Sequence, residues 1–148
     1  MVDPTEVFHR VMGHLFAGDA GAYADMFAKD AVVEWPFAAA GWPKRLDGHD
    51  AIRTHVGALL ARFQGSGRKF VAVRDPILHP IGTHELIVEF LFEIATPEGT
   101  TRQPYVHFLK VTDDGRIAAL RDYFVPASDQ QLGGAHTEAR GRSRDENA

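Results

Sequence analysis

The chain has 148 residues, 45% of them hydrophobic, and a formal net charge of −4 at pH 7. This length suits one ordinary domain, the hydrophobic fraction supports a packed core, and the negative charge argues against a broad nucleic-acid-binding surface. Because the chain contains no cysteine, disulfides, thiol nucleophiles and cysteine-ligated metal sites are excluded.

The N-terminus lacks the basic segment and apolar run that are typical of a signal peptide. No stretch approaches the roughly 18 consecutive apolar residues that span a bilayer. We therefore expect a cytoplasmic protein that binds neither membrane nor nucleic acid.

Two helices are predicted first. Asp3, Pro4 and Glu6 form a strong helix start, since Asp3 can cap, Pro4 suits the first turn and Glu6 completes a capping-box pattern. Apolar residues then repeat at helical spacing: Val7, Phe8, Val11, Met12, Leu15 and Phe16. Gly18 and Asp19 end this helix and open a shorter one.

A strand and a third helix follow. Residues 30–37 alternate as a strand does, with Val33, Trp35 and Phe37 predicted on one face. The glycines and prolines after it predict a loop or loose hairpin. A third helix begins between positions 47 and 50, and its apolar stripe is Ile52, Val56, Leu59, Leu60 and Phe63, with His55 inside the stripe.

Four further strands are predicted, at roughly 69–80, 84–95, 103–112 and 116–126, each pair separated by turn residues. The sequence from position 127 is polar and has no period. We therefore assign residues 1–126 to one domain and residues 127–148 to a mobile polar tail. The order of elements predicts an α+β fold in which a curved antiparallel sheet wraps around three N-terminal helices and leaves a cone-shaped central pocket.

The last predicted strand carries an ionisable residue among apolar ones. Leu120, Asp122 and Phe124 share one face because side chains alternate along a strand. A carboxylate on an apolar face is unfavourable by several kcal/mol unless it is paired, hydrogen-bonded or protonated. Asp122 is therefore either a catalytic acid/base or a structural residue that pairs with an arginine or caps a turn.

The order of elements, the sequence from Gly115 to Phe124 (GRIAALRDYF) and the start of the third helix at Gly48 (GHDAI) resemble the nuclear transport factor 2-like superfamily. Within it, the chain is similar to SnoaL-like polyketide cyclases, limonene epoxide hydrolases and ketosteroid isomerases over about residues 4–126. The resemblance implies a cystatin-like α+β barrel with a central pocket, but not one function, because this fold hosts enzymes and non-enzymatic binders.

The resemblance transfers only in part to individual residues. In SnoaL-like cyclases a late-strand aspartate is the general acid/base and a histidine lies on the preceding strand, which implies these roles for Asp122 and His107. Limonene epoxide hydrolase needs an arginine and an aspartate on the middle strand, where this chain has Phe90 and Phe92. Ketosteroid isomerases need a tyrosine on the first helix, and this chain has none there.

The remaining candidates have two interpretations each. His107 either orients Asp122 or polarises a carbonyl oxygen, or it is a half-buried structural histidine. His55 is either a catalytic residue or a core residue. The aromatic residues either line a ligand cavity or simply fill the core: Trp35, Phe37, Trp42, Phe90, Phe92, Tyr105 and Phe124.

The outer face of the middle strand carries Leu91 between Glu89 and Glu93, which is either a solvated face or a dimer interface. Family members often form dimers there, so we expect a homodimer. His79 and His84 flank a turn without a clear third ligand, so no metal site is expected, and no cofactor is expected either.

Three functions stay open at this point. The first is a cofactor-free enzyme that performs acid/base chemistry as a cyclase, isomerase or dehydratase on a small apolar, aromatic or polyketide-like ligand. The second is a non-catalytic binding domain with the same hydrophobic pocket. The third is an epoxide hydrolase with a rearranged site.

Overall fold

The structure, a computed structural model, describes residues 2–125. The predicted tail at 127–148 and the last residue of the predicted domain lie outside the described residues. Three helices are present: α1 (Pro4–Phe16), α2 (Ala20–Asp25) and α3 (His49–Gly65). Within the described range, no helix is both long and apolar enough to cross a membrane.

The sequence determines where α1 begins and which side of it is buried. The Asp3 carboxylate accepts a hydrogen bond of 2.9 Å from the Thr5 backbone N–H, and Pro4 occupies the first turn. The predicted apolar stripe is buried almost completely, with Phe8 fully enclosed. α1 packs against the sheet, so its stripe forms the helical half of the core.

Six strands form one sheet in the order β2-β1-β6-β5-β4-β3. Their bounds are β1 (Phe27–Glu34), β2 (Arg45–Asp47), β3 (Lys69–Ile81), β4 (Glu85–Thr96), β5 (Gly99–Val111) and β6 (Ile117–Phe124). The meander β3 to β6 is antiparallel throughout, as the turn residues predicted. The predicted α+β class, with a curved sheet packed against three helices, is confirmed.

The sheet differs from the expected barrel in two details. β2 and β3 are its edges, so the sheet is curved but not closed. β1 pairs with β6 in parallel, with Val33 opposite Leu120 and Glu34 opposite Arg121. A parallel pair needs a long connection between its strands, and here β2, α3 and the strands β3 to β5 separate β1 from β6 along the chain.

The inner face of the sheet is the other half of the core. Along β4 the buried residues follow period two: Leu86, Val88, Phe90, Phe92 and Ile94. The intervening residues, Glu89 and Glu93 among them, face outward. This alternation fixes which residues of β5 and β6 also face inward, and so it positions the candidate site.

Candidate functional site

The site begins with Asp122 and His107, which the pairing of β5 and β6 places directly opposite each other. His107 Nε2 lies 3.2 Å from Asp122 Oδ1, and the two side chains are 4% and 14% exposed. The two groups are poorly aligned, because neither atom has a well-formed hydrogen bond within residues 2–125.

The other carboxylate oxygen is held by Trp35. Its indole Nε1–H donates to Asp122 Oδ2 at 3.1 Å. Trp35 follows directly after β1, whose last residue, Glu34, is paired with Arg121 of β6. The parallel pairing therefore brings Trp35 beside Asp122, although 87 positions separate them in the chain.

One row further along the sheet, three aromatic rings form a stacked wall. Phe90, Tyr105 and Phe124 are consecutive partners across β4, β5 and β6. The ring centroids are 5.7 Å apart for Phe90 and Tyr105, and 5.0 Å apart for Tyr105 and Phe124. Phe90 also contacts the His107 ring at 4.9 Å, and Phe92 contacts Tyr105 at 4.7 Å. The wall makes this end of the sheet apolar around one carboxylate.

His55 and Trp42 complete the site from the helical side. The His55 ring lies 5.0 Å from both the Trp35 and the Trp42 rings, and Trp42 packs on Phe124 at 5.7 Å. His55 therefore reaches the site through Trp35 and Trp42. Burial lowers the pKa of His55, and the positive charge of Arg62 lowers it further, so the neutral imidazole is favoured.

Two tyrosines respond to the charge of Asp122. Burial raises the pKa of Tyr23 and of Tyr105 well above the usual range, and the negative carboxylate of Asp122 raises both further. Tyr23, on α2, is buried and was not predicted as a site residue. Its position on the apolar side of a short helix is typical of a core residue, so the sequence carried no functional signal for it.

Phe37 does not lie on the face of Val33 and Trp35, where strand alternation predicted it, while its predicted role in ligand binding stays a prediction. Its side chain is 64% exposed and packs against Tyr123, at 5.2 Å, on the outer face of the sheet. The period-two argument failed because β1 ends at Glu34, so Phe37 lies in a turn. The other predicted aromatic residues do lie at the inner, helix-facing side of the sheet.

Two hollows on the described part of the molecule are not lined by Asp122. One, of about 390 Å³, is largely apolar. Phe37, Ile77, Leu91 and Tyr123 line it on the outer face, and the rings of Phe90, Tyr105 and Phe124 border it as well. The other, of about 600 Å³, lies at the start of α3 beside Lys29, His49 and Arg116. Among residues 2–125, no three His, Asp or Glu side chains gather as a metal site would need.

Buried polar atoms without a partner mark the Asp122 end of the sheet instead. Within residues 2–125, four buried side-chain nitrogen or oxygen atoms have no hydrogen-bond partner: Trp42 Nε1, His55 Nε2, His107 Nε2 and Asp122 Oδ1. Buried polar atoms in folded proteins almost always have a partner. All four belong to one contiguous group of side chains, so this group is the candidate functional site.

The comparison with known families agrees with this architecture. The family model of the SnoaL-like domain matches residues 8–120 of this chain. The chain belongs to the SnoaL-like domain family. The match includes Trp35, His55 and His107 and ends two residues before Asp122, so it does not by itself assign a role to that carboxylate.

Individual relatives of this SnoaL-like protein are similar over most of their length. An uncharacterized PhzA/B-like protein from Pseudomonas aeruginosa is 32% identical over 83% of this chain and 85% of its own. A Bacillus subtilis crystal structure, assigned as an isomerase, is 25% identical with a TM-score of 0.72, over 88% of this chain and 92% of the other. A Xanthomonas campestris structure, assigned as a polyketide cyclase, shares the fold at 19% identity and a TM-score of 0.60, covering 82% and 89%.

Proposed function

We propose that this SnoaL-like protein is a cofactor-free enzyme that performs acid/base chemistry on a small, apolar, polyketide-like ketone, with Asp122 as the general base. The observation that carries the proposal is a cluster of four buried polar atoms without a well-formed hydrogen bond, one of them Asp122 Oδ1 itself, beside a wall of aromatic rings. The assignments of similar structures as an isomerase and a polyketide cyclase support this class of reaction. A cytoplasmic location stays a prediction.

The surroundings of Asp122 suit proton transfer from carbon. Trp35 fixes one carboxylate oxygen, so the side chain is oriented before a substrate arrives. Asp122 Oδ1 is closed to solvent and free of a well-formed hydrogen bond, so it is the oxygen left for a substrate, while His107 beside it is a positioning residue. Phe90, Tyr105 and Phe124 favour a flat apolar substrate, and they exclude water that would otherwise solvate the carboxylate.

The reaction would begin when Asp122 removes a proton from the carbon next to a carbonyl group. The electrons of the C–H bond form a carbon–carbon double bond, and the carbonyl π electrons move to the oxygen. In an isomerase, the substrate also carries a carbon–carbon double bond beside the carbon that loses the proton, so removal of the proton gives a conjugated dienolate. Protonated Asp122 then returns the proton to the far carbon, the carbon–carbon double bond shifts by one position and the carbonyl re-forms. In a cyclase, the carbon attacks a second carbonyl of the same molecule and the proton ends on the new alkoxide. A dehydratase would instead expel a neighbouring hydroxyl as water.

A simple ketone tests the proposal. 2-Tetralone is a bicyclic ketone whose C–H groups next to the carbonyl are acidic, and their exchange with D₂O is visible by NMR. We expect the protein to accelerate this exchange, and Asp122→Asn to reduce the acceleration by about a hundredfold or more while the fold is retained. Asp30→Asn, which changes an exposed carboxylate on β1, is the matched control and should retain the wild-type rate.

A non-catalytic binding domain is the second candidate, and one observation favours it. The hydrogen bond from Trp35 to Asp122 joins β1 to β6 and would stabilise the fold without any catalysis. In that case 2-tetralone would bind without faster exchange, and Asp122→Asn would leave its affinity nearly unchanged. Epoxide hydrolysis of the limonene type is disfavoured, because Phe90 and Phe92 are both buried on the inner face and supply no charged group there.

A further inference from the structure

The two tryptophans of the chain differ sharply in their surroundings, although they belong to one cluster. The rings of Trp35, Trp42 and His55 come from the end of β1, the following loop and α3, with centroids 5.0 to 6.0 Å apart. The Trp35 N–H is bonded to Asp122. The Trp42 N–H and His55 Nε2 are closed to solvent and have no partner among residues 2–125.

The chemistry of these two nitrogens limits what can satisfy them. An indole N–H only donates, so its partner must be an acceptor, which excludes an ammonium group. His55 Nε2 donates in one neutral tautomer and accepts in the other. A carbonyl oxygen can accept from both nitrogens, and a hydroxyl can accept from Trp42 and donate to His55. The negative charge of Asp122 in the same cluster disfavours an anionic ligand group.

We propose that Trp42 Nε1 and His55 Nε2 together bind the neutral oxygen of the substrate, so that its carbonyl lies at this pair while the adjacent carbon faces Asp122. The pair then also stabilises the negative charge that develops on that oxygen when Asp122 removes the proton. This assignment rests on the proposed function and defines its substrate class as uncharged ketones. Trp42 lies in the loop between β1 and β2, outside regular structure, so its ring can shift to admit the oxygen.

The two indole groups allow a direct test, because each gives one signal in a ¹⁵N-labelled sample. Trp42→Phe assigns the two signals. 2-Tetralone is then compared with tetralin, the hydrocarbon that has the same two rings without the carbonyl. We expect the Trp42 indole proton to move downfield with the ketone and not with tetralin. The ketone should bind roughly threefold to tenfold more tightly, as one or two neutral hydrogen bonds would give.

The variants separate the oxygen-binding pair from general apolar binding. In Trp42→Phe and in His55→Leu, the ratio of the affinity for 2-tetralone to that for tetralin should fall toward one, while Asp30→Asn, on the exposed side of β1, should keep the wild-type ratio. The comparison of the two compounds on the wild-type protein does not depend on how well either variant folds. Equal affinities without a selective shift at Trp42 would overturn the inference, as would failure of both compounds to bind at millimolar concentration.

The deuterium-exchange assay distinguishes this failure from failure of the proposed function. If exchange depends on Asp122 but the Trp42 signal shows no ketone-specific shift, Asp122 is a general base and the oxygen-binding pair is excluded. If the ketone-specific shift appears but exchange is not accelerated, the pair binds the oxygen and the proposed catalysis is excluded.

Discussion

At the scale of single residues, the environment of Asp122 is a consequence of strand register. His107 lies opposite Asp122 because β5 and β6 pair residue for residue here, and a shift of β6 by one position would turn Asp122 to the outer face, away from His107. Trp35, which directly follows β1, donates a hydrogen bond to the other carboxylate oxygen. Among residues 2–125, the buried Asp122 carboxylate has one well-formed hydrogen bond, the one from Trp35. Loss of that bond should therefore lower the free energy of unfolding measurably.

Trp35→Phe should destabilise the protein more than Trp42→Phe does. Both changes remove an indole N–H from the same cluster, but only the first leaves the Asp122 carboxylate without its donor. We expect the free energy of unfolding to fall by about 1–3 kcal/mol more for Trp35→Phe, measured by urea unfolding monitored with circular dichroism. Equal losses for the two variants would contradict a stabilising role for this hydrogen bond.

His55 should make the folded state sensitive to acid. Its folded-state pKa lies below the ordinary value of 6.5, so the unfolded chain binds the proton more readily. Wild-type stability should therefore be fully present above about pH 6.5 and decline as the pH falls below it. His55→Leu should weaken this decline, which urea unfolding at several pH values between 5 and 8 would measure. An identical pH profile in the variant would contradict the assignment.

The sequence predicted part of this site and missed the rest for identifiable reasons. The inward positions of Asp122 and His107 were predictable from the sequence, because strand alternation places both on one face. The hydrogen bond between Trp35 and Asp122 was not predictable, because it depends on the parallel pairing of two strands that lie far apart in the chain. Tyr23 carries no local signal, and Phe37 was misplaced because strand alternation was extended into a turn.

At the scale of elements, α3 is the helix that brings His55 to the site, and its start depends on a glycine. Gly48 has a φ of 92°, and no side chain caps the helix at this position. A Cβ at Gly48 would lie 3.4 Å from the backbone oxygen of Lys29. The element was predictable from its apolar stripe, while the unusual backbone at its start was not, because glycine also occurs in ordinary turns.

Gly48→Ala should therefore destabilise the protein by about 1–3 kcal/mol, because this conformation is strained for any residue with a Cβ. Gly13→Ala is the matched control, since Gly13 lies within α1 and a Cβ there meets no atom within 4 Å. That change should stabilise the protein by roughly 0.5–1 kcal/mol. Thermal unfolding of both variants measures the two signs, and a stabilised Gly48→Ala would show that α3 begins differently.

At the scale of the whole molecule, the outer face of the sheet is the largest unexplained feature. Two of its carboxylates have partners within the chain: Glu93 lies 2.9 Å from Arg74 and Glu89 lies 2.7 Å from His79. Between them the apolar hollow is open, and Ile77 is 54% exposed. Exposed apolar patches of this kind are often interaction sites. We propose that a second copy of the chain covers this face.

Leu91→Arg should convert the dimer to a monomer, because it introduces a charge at the centre of the apolar hollow. Ala61→Arg places the same side chain on the exposed side of α3 and should leave the dimer intact. Sedimentation velocity at micromolar concentration measures both variants. A wild-type protein that sediments only as a monomer would exclude the proposed interface.

A ligand that meets Asp122 between the helices and the inner face of the sheet should be visible in a crystal structure of the protein with 2-tetralone bound. We expect the carbon next to the carbonyl to lie within about 3.5 Å of an Asp122 oxygen, as proton transfer requires. A ligand seated instead in the outer-face hollow between Ile77 and Leu91, with Asp122 untouched, would contradict this expectation.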